Sequence, residues 1–179
     1  MKVNQILFIP GFILSFTFSL TTYGQVFPEN GLSRDSLLSV SREIMKNAGN
    51  CALITLDKNG SPKVRTMDPF PPEDNMEVWL GTNSKSRKVG QIKNDSRVSL
   101  YYFDKDNSGY LIIYGKAILV DDPQIKEVKW KEDWEAFYPD RNESYILIRV
   151  IPETLEVLSP AHGVMNDPVT WQPPVIKFN

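Results

Sequence analysis

Cysteine and histidine are almost missing from this 179-residue chain: Cys51 is the only thiol and His162 the only imidazole. One cysteine excludes an intrachain disulfide and a zinc site built from several cysteines, and one histidine excludes a multi-histidine metal centre. No Ser-His-Asp arrangement can be argued around His162 either. Long runs of one charge are absent. Twenty Lys and Arg residues stand against 22 Asp and Glu, for a net charge of −2. That is not the basic patch or stripe of a general nucleic-acid binder. There is no glycine-rich dinucleotide or P-loop motif and no internal repeat. The longest uncharged apolar run, Ile6 to Leu20, is shorter than the roughly 20 residues that span a bilayer, and Pro10 and Gly11 interrupt it.

That run has another reading. Lys2, the apolar stretch and the polar, small-residue patch from Thr21 to Gln25 form the layout of a secretory signal peptide, with cleavage expected after Gly24. A membrane anchor is the competing reading. No cysteine sits at the junction to carry a lipid. Residues 25–179 are then expected to be one exported domain, periplasmic or secreted. Their 41% hydrophobic and 23% charged composition (whole-chain values) is that of an ordinary globular protein.

Hydrophobic periodicity sets the expected elements. Residues 26–32, with Pro28, Asn30 and Gly31, read as a linker. A helix follows, capped by Ser33 or Asp35, carrying Leu37, Leu38, Ile44 and Met45 and stopped by Gly49. The period then changes to that of strands. Cys51–Leu56 and Pro62–Met67 flank the turn Asp57-Lys58-Asn59-Gly60, whose Asn-Gly is a strong hairpin signal. A proline-rich loop leads to a strand over Glu77–Thr82 and a short helix over Ser84–Ile92. Strands over Arg97–Phe103 and Tyr110–Val120 come next, the latter with Gly115 as an expected bulge. Asp122-Pro123 should open one helix bearing Ile125, Val128, Trp130 and Trp134 and ending before Pro139. Ser144–Val150 and Thr154–Leu158 are expected as a last strand or strand pair. The tail from Ser159 shows no clear period. Short strands joined by tight turns favour an antiparallel sheet, and closure into a small barrel removes its edges.

Two basic clusters carry the chemistry. One is Arg65, within Val64-Arg65-Thr66-Met67. The other is Thr82-Asn83-Ser84-Lys85-Ser86-Arg87-Lys88, where a strand runs into a helix. A phosphate monoester needs cations and donors. Arginine offers a bidentate fork, lysine a point charge, and hydroxyls and free helix N–H groups supply the rest. A solvated helix start with ordinary surface cations would look the same in isolation.

The second cluster, followed by Asn94-Asp95-Ser96-Arg97-Val98-Ser99-Leu100, resembles the signature segment of the pyridoxamine 5′-phosphate oxidase family. Gly60-x-Pro62-x-Val64-Arg65-Thr66-Met67 is similar to the strand that begins that family's FMN-binding run. Gly115-Lys116-Ala117 and Val120-Asp121-Asp122-Pro123 resemble its later strand and helix entry. The resemblance spans about residues 35–158. It implies an α+β fold, an antiparallel split β-barrel with flanking helices, assembled as a homodimer with FMN near the interface. It further implies that Arg65, Arg87 and Lys88 hold the phosphate with help from Ser86. Thr66, Met67 and Thr82 would line the ribityl chain and ring.

The chain departs from the family's oxidases in its tail. Their Arg-x-His pair has no counterpart, since His162 is followed by Gly163 and Val164 and no arginine follows Arg149. Pyridoxamine phosphate is therefore not the expected substrate. The chain looks closer to the general-stress-protein branch, and export sets it apart from the mostly cytoplasmic relatives. An FMN-dependent oxidoreductase of unknown substrate is the favoured reading. The alternatives are a non-catalytic flavin carrier or stress protein, and a barrel that holds haem, another cofactor or none. His162 as a proton donor and Trp171 as a cover for a partner's flavin ring stay open beside plain structural roles. Trp130, Trp134, Phe137 and Tyr138 read as one packed helix face.

Overall fold

The computed structural model describes residues 32–178; the expected signal segment, residues 1–24, lies outside them. Helix α1 (Arg34–Ala48) begins where expected. The Ser33 hydroxyl accepts from the Ser36 N–H, and Gly49 ends the helix at φ 67°, a left-handed value that suits glycine. Leu37, Ile44 and Met45 face the sheet.

The next elements alternate between chain reversals and strands. They are β1 (Cys51–Leu56), β2 (Pro62–Met67), β3 (Val78–Asn83), α2 (Arg87–Asn94), β4 (Arg97–Asp104) and β5 (Gly109–Val120). Then come α3 (Pro123–Val128), α4 (Arg141–Ser144), β6 (Tyr145–Leu158) and β7 (Val175–Lys177). All pairings are antiparallel, in the order β2-β1-β4-β5-β6-β3, with β7 sharing the far half of the β6 edge. Leu53, Leu100, Ile113, Leu155 and Ile176 lie opposite one another across five neighbouring strands, and all are buried. Each such side chain contributes about 1.5–3 kcal/mol by leaving water. This row is the spine of the core.

The sheet curls until its two edges nearly meet. The Phe70 N–H donates to the Trp79 carbonyl at 2.9 Å, and Pro69 bridges Leu80, so the chain just past β2 touches β3. Beyond that bridge β2 and β3 are not paired. The barrel is thus split between its first and last strands, the antiparallel split barrel with flanking helices that was expected.

The stretch expected near the C-terminus as a last strand or strand pair is a single strand, β6, continuous through a bulge opposite Tyr114 and Gly115. A Cβ on Gly115 would come within 2.1 Å of the Ile151 carbonyl oxygen, which explains the glycine. The single helix expected from Asp122 to Pro139 is instead the six-residue α3 followed by a 3₁₀ turn, Glu132–Trp134. Trp130 and Trp134 both pack edge-on against Tyr145, and Lys131 between them bonds Asp68 at 2.5 Å. Tertiary contacts pull this stretch out of helical geometry. In the tail, Val175–Lys177 finds a place on β6 that no periodicity announces. No helix among the described residues is long and apolar enough to cross a membrane.

Candidate functional site

The split between β2 and β3 opens into a groove of about 520 Å³. Thr66 and Met67 line one wall, Thr82, Ser86 and Lys88 the other. The α2 start places the second set. Thr82 is nearly fully buried, and its hydroxyl sits 3.2 Å from that of Ser86 and accepts from Lys88 Nζ at 2.9 Å.

Arg65 and Arg87 stand beside this groove rather than in its lining. The Arg65 guanidinium donates to Thr55 Oγ1 at 2.7 Å, to the Leu53 carbonyl at 3.3 Å and to Gln91 Oε1 at 2.9 Å. Burial lowers its pKa below the ordinary arginine value, and the neighbouring Arg87 adds to the effect. Burial likewise lowers the Lys88 ammonium, and Arg65 contributes. Neither shift is offset by a carboxylate: none of the three cations has an ion-pair partner among the described residues. Three like charges held near one another, two of them partly desolvated, favour an anion in their midst.

The opposite flank is aromatic. Trp134, Phe137 and Tyr138 line the groove. Trp134 is buried on Gly81 and donates from its indole N–H to Asp68 at 3.0 Å, whereas Phe137 is 73% exposed. These residues are only in part the packed helix face expected of them: Trp134 and Tyr138 pack, and Phe137 offers its ring to the groove. Two contributors escaped the sequence reading. Gln91, one turn along α2 from Arg87, ties Arg65 and Thr55 together. Asp68 fixes Trp134 and Lys131. The i to i+4 spacing of Arg87 and Gln91 was a usable signal for the first.

His162 is held elsewhere. Nδ1 lies 2.7 Å from Ser159 Oγ and Nε2 3.3 Å from Glu43. The trio has the composition of a hydrolytic relay, but Ser159 is fully buried and cannot meet a substrate. It joins the end of β6 to α1. Trp171 is 76% exposed on the tail and reaches neither its own barrel core nor the groove.

Fold and groove together define an antiparallel split-barrel protein whose open seam is flanked by cations. The family model described as "Pyridoxamine 5'-phosphate oxidase like" matches residues 38–167, and the chain belongs to that family. Its structure is similar to that of a protein from Clostridium acetobutylicum related to general stress protein 26 of Bacillus subtilis. That pair shares 21% identity and a TM-score of 0.66, over 82% of this chain and 97% of the other. General stress protein 26 from Bacillus anthracis shares 18% identity at a TM-score of 0.59, over 76% and 98%. A pyridoxamine 5′-phosphate oxidase-related, FMN-binding protein from Nostoc punctiforme shares 17% at 0.56, over 83% and 100%. No curated protein matches the chain.

Proposed function

We propose that this protein binds FMN in the groove between β2 and β3 and acts as an oxidoreductase on a small molecule. One observation carries the reading: Arg65, Arg87 and Lys88 gather at the seam without a carboxylate among them. The donor set fits a phosphate monoester. Arg65, Arg87 and Lys88 supply charge, Ser86 and Thr82 supply hydroxyls, and Thr66 and Met67 face the chain that follows. Phe137 and Tyr138 give a planar ring an aromatic flank. The FMN-binding description of the Nostoc punctiforme neighbour agrees. Bound flavin would supply the electron transfer, and this chain's groups hold and orient it.

Arg87→Ala combined with Lys88→Ala tests the cradle. Each lost charge-assisted bond is worth about 1.5–3 kcal/mol, so FMN affinity should fall by about 100-fold or more. Circular dichroism and melting temperature should stay unchanged, because both side chains lie outside the core. FMN binding equal to wild type in a fluorescence titration would refute the assignment.

A carrier role is the second reading. The one histidine is tied to Ser159 and Glu43, away from the groove, so it offers no proton donor there. Bound flavin that cycles with added reductant and acceptor supports the enzyme; flavin that stays inert supports the carrier.

Two further parts belong to the proposal. Export rests on the residue pattern of positions 1–24, and mass spectrometry of the secreted protein should find Gln25 at its N-terminus. An uncleaved chain, or one retained in the cytoplasm, would contradict it. Homodimerisation is supported by the outer sheet face, where Val64, Tyr101, Phe103 and Tyr114 are all exposed.

A further inference from the structure

Between β6 and β7 the tail forms a tip over residues 167–172. Val169 is 85% exposed there and Trp171 76%. The backbone beneath them is fixed. The Asp167 N–H donates to the Gln172 carbonyl and the Trp171 N–H to the Asp167 carbonyl, both at 2.9 Å. Asp167 Oδ1 accepts from the Val169 N–H at 3.0 Å, the Thr170 N–H at 2.7 Å and the Thr170 hydroxyl at 3.0 Å. These bonds hold Trp171 at φ 59°, a left-handed value that bulky residues rarely adopt. Such a backbone persists only where its surroundings over-determine it. The tip is therefore a fixed mount that turns an indole and an isopropyl group outward.

The tip is also equipped to leave water. Pro168, Pro173 and Pro174 have no N–H to satisfy. The Gln172 N–H donates to Thr170 Oγ1 at 3.4 Å. Every position from Asp167 to Pro174 thus either bonds its N–H within the tip or has none. Asp167 is the only charged residue between Val164 and Ile176, and it stands at the base, with Oδ1 turned to the tip's own donors. An apolar medium penalises free backbone donors and unpaired charge, and the apex presents neither. A partner selected by charge would find nothing on it to pair with.

Its place on the body points the same way. The Pro174 carbonyl accepts from the Val157 N–H at 3.2 Å, and β7 continues along the β6 edge. Arg34 donates to the Lys177 carbonyl at 2.9 Å and lies over the Phe178 ring at 5.1 Å. The start of α1 is thus fastened to β7, and the six residues from Trp171 to Lys177 span at most about 20 Å. Positions 1–31, with the apolar run Ile6 to Leu20, join the body at this same corner.

We propose that the tip is a lipid-contact site, at which Val169 and Trp171 enter the headgroup and upper acyl region of a bilayer and seat the protein on a membrane surface. Tryptophan suits that depth, because its ring is apolar and its one N–H reaches the headgroups. Two side chains give a reversible attachment rather than a permanent one. The site does not depend on what fills the groove.

The probe is a vesicle of phosphatidylcholine with brominated acyl chains, mixed with the full protein as exported. Trp79 and Trp134 are buried and Trp130 is half-buried, so quenching of tryptophan fluorescence reports Trp171. Quenching should saturate with lipid, and flotation should carry protein up with the vesicles. Trp171→Asn with Val169→Ser should lower the partition coefficient about tenfold or more. Asparagine accepts a left-handed φ, so the melting temperature should not fall. Trp171→Phe keeps an apolar ring, and it should still float while losing the saturable quenching. Raising salt from about 0.1 M to about 1 M should leave binding in place, since no charge carries it. Flotation that never occurs, that the double variant retains or that salt abolishes would overturn the proposal. So would a dimer, measured without lipid, that the double variant converts to monomer, because the tip would then be a contact between copies.

Discussion

A missing side chain at position 81 decides where Trp134 can sit. A Cβ there would lie 2.3 Å from one indole carbon and 2.8 Å from the Tyr145 ring. Gly81→Ala must push both rings aside, at a cost of about 1–3 kcal/mol, because overpacking a dense core is rarely absorbed. Urea unfolding should show that loss, and FMN affinity should fall with it, since Trp134 walls the groove. Unchanged stability would mean the rings have room that the structure does not show. The role of Gly81 could not be read from its neighbours in sequence. It depends on a tryptophan far downstream, whereas Gly49 and Gly60 announce themselves by the turns they occupy, at φ 67° and 77°.

Elements with local causes were legible. The cap at Ser33, the stop at Gly49 and the Asn-Gly hairpin follow from nearby residues, and each is where the pattern puts it, whereas the bulge expected at Gly115 has its extra residue, Glu153, on the neighbouring strand β6. The segment after Asp122 was not legible, because its shape comes from two partners elsewhere, Asp68 and Tyr145. Asp68 holds Lys131 and Trp134, Tyr145 meets Trp130 and Trp134, and the Tyr145 hydroxyl donates to the Lys129 carbonyl. The candidate site divides the same way. Thr82, Ser86 and Lys88 lie within one strand-to-helix turn and converge as the motif suggested. That Arg65 joins them depends on sheet curvature and on Gln91, which sequence spacing alone does not convey.

For the whole molecule, the outer face of the sheet is the unexplained surface. Tyr101 lies opposite Ala52 and Ile112, and Phe103 opposite Tyr110, so the apolar side chains run across three strands. Phe103 is 50% exposed and Val64 65%. A contiguous apolar face of this kind marks an interaction surface. Under the homodimer proposal, Phe103→Glu should turn a dimer into a monomer in light scattering while leaving circular dichroism intact. A wild-type protein that is already monomeric at micromolar concentration would remove the dimer from the account.

The bridge between Pro69 and Leu80 joins the first and last strands of a six-strand path. The gap beyond it is therefore a remainder: whatever the twists and registers of all the intervening strands leave over. Neighbouring strands differ by about 20–25° in direction, and a register step moves a strand by about 3.3 Å. Small changes anywhere along the path, the bulge opposite Gly115 included, add up at the same place. The width of the groove is thus a tolerance held by the entire sheet, and substitutions far from any ligand can retune it without touching a single residue that lines it.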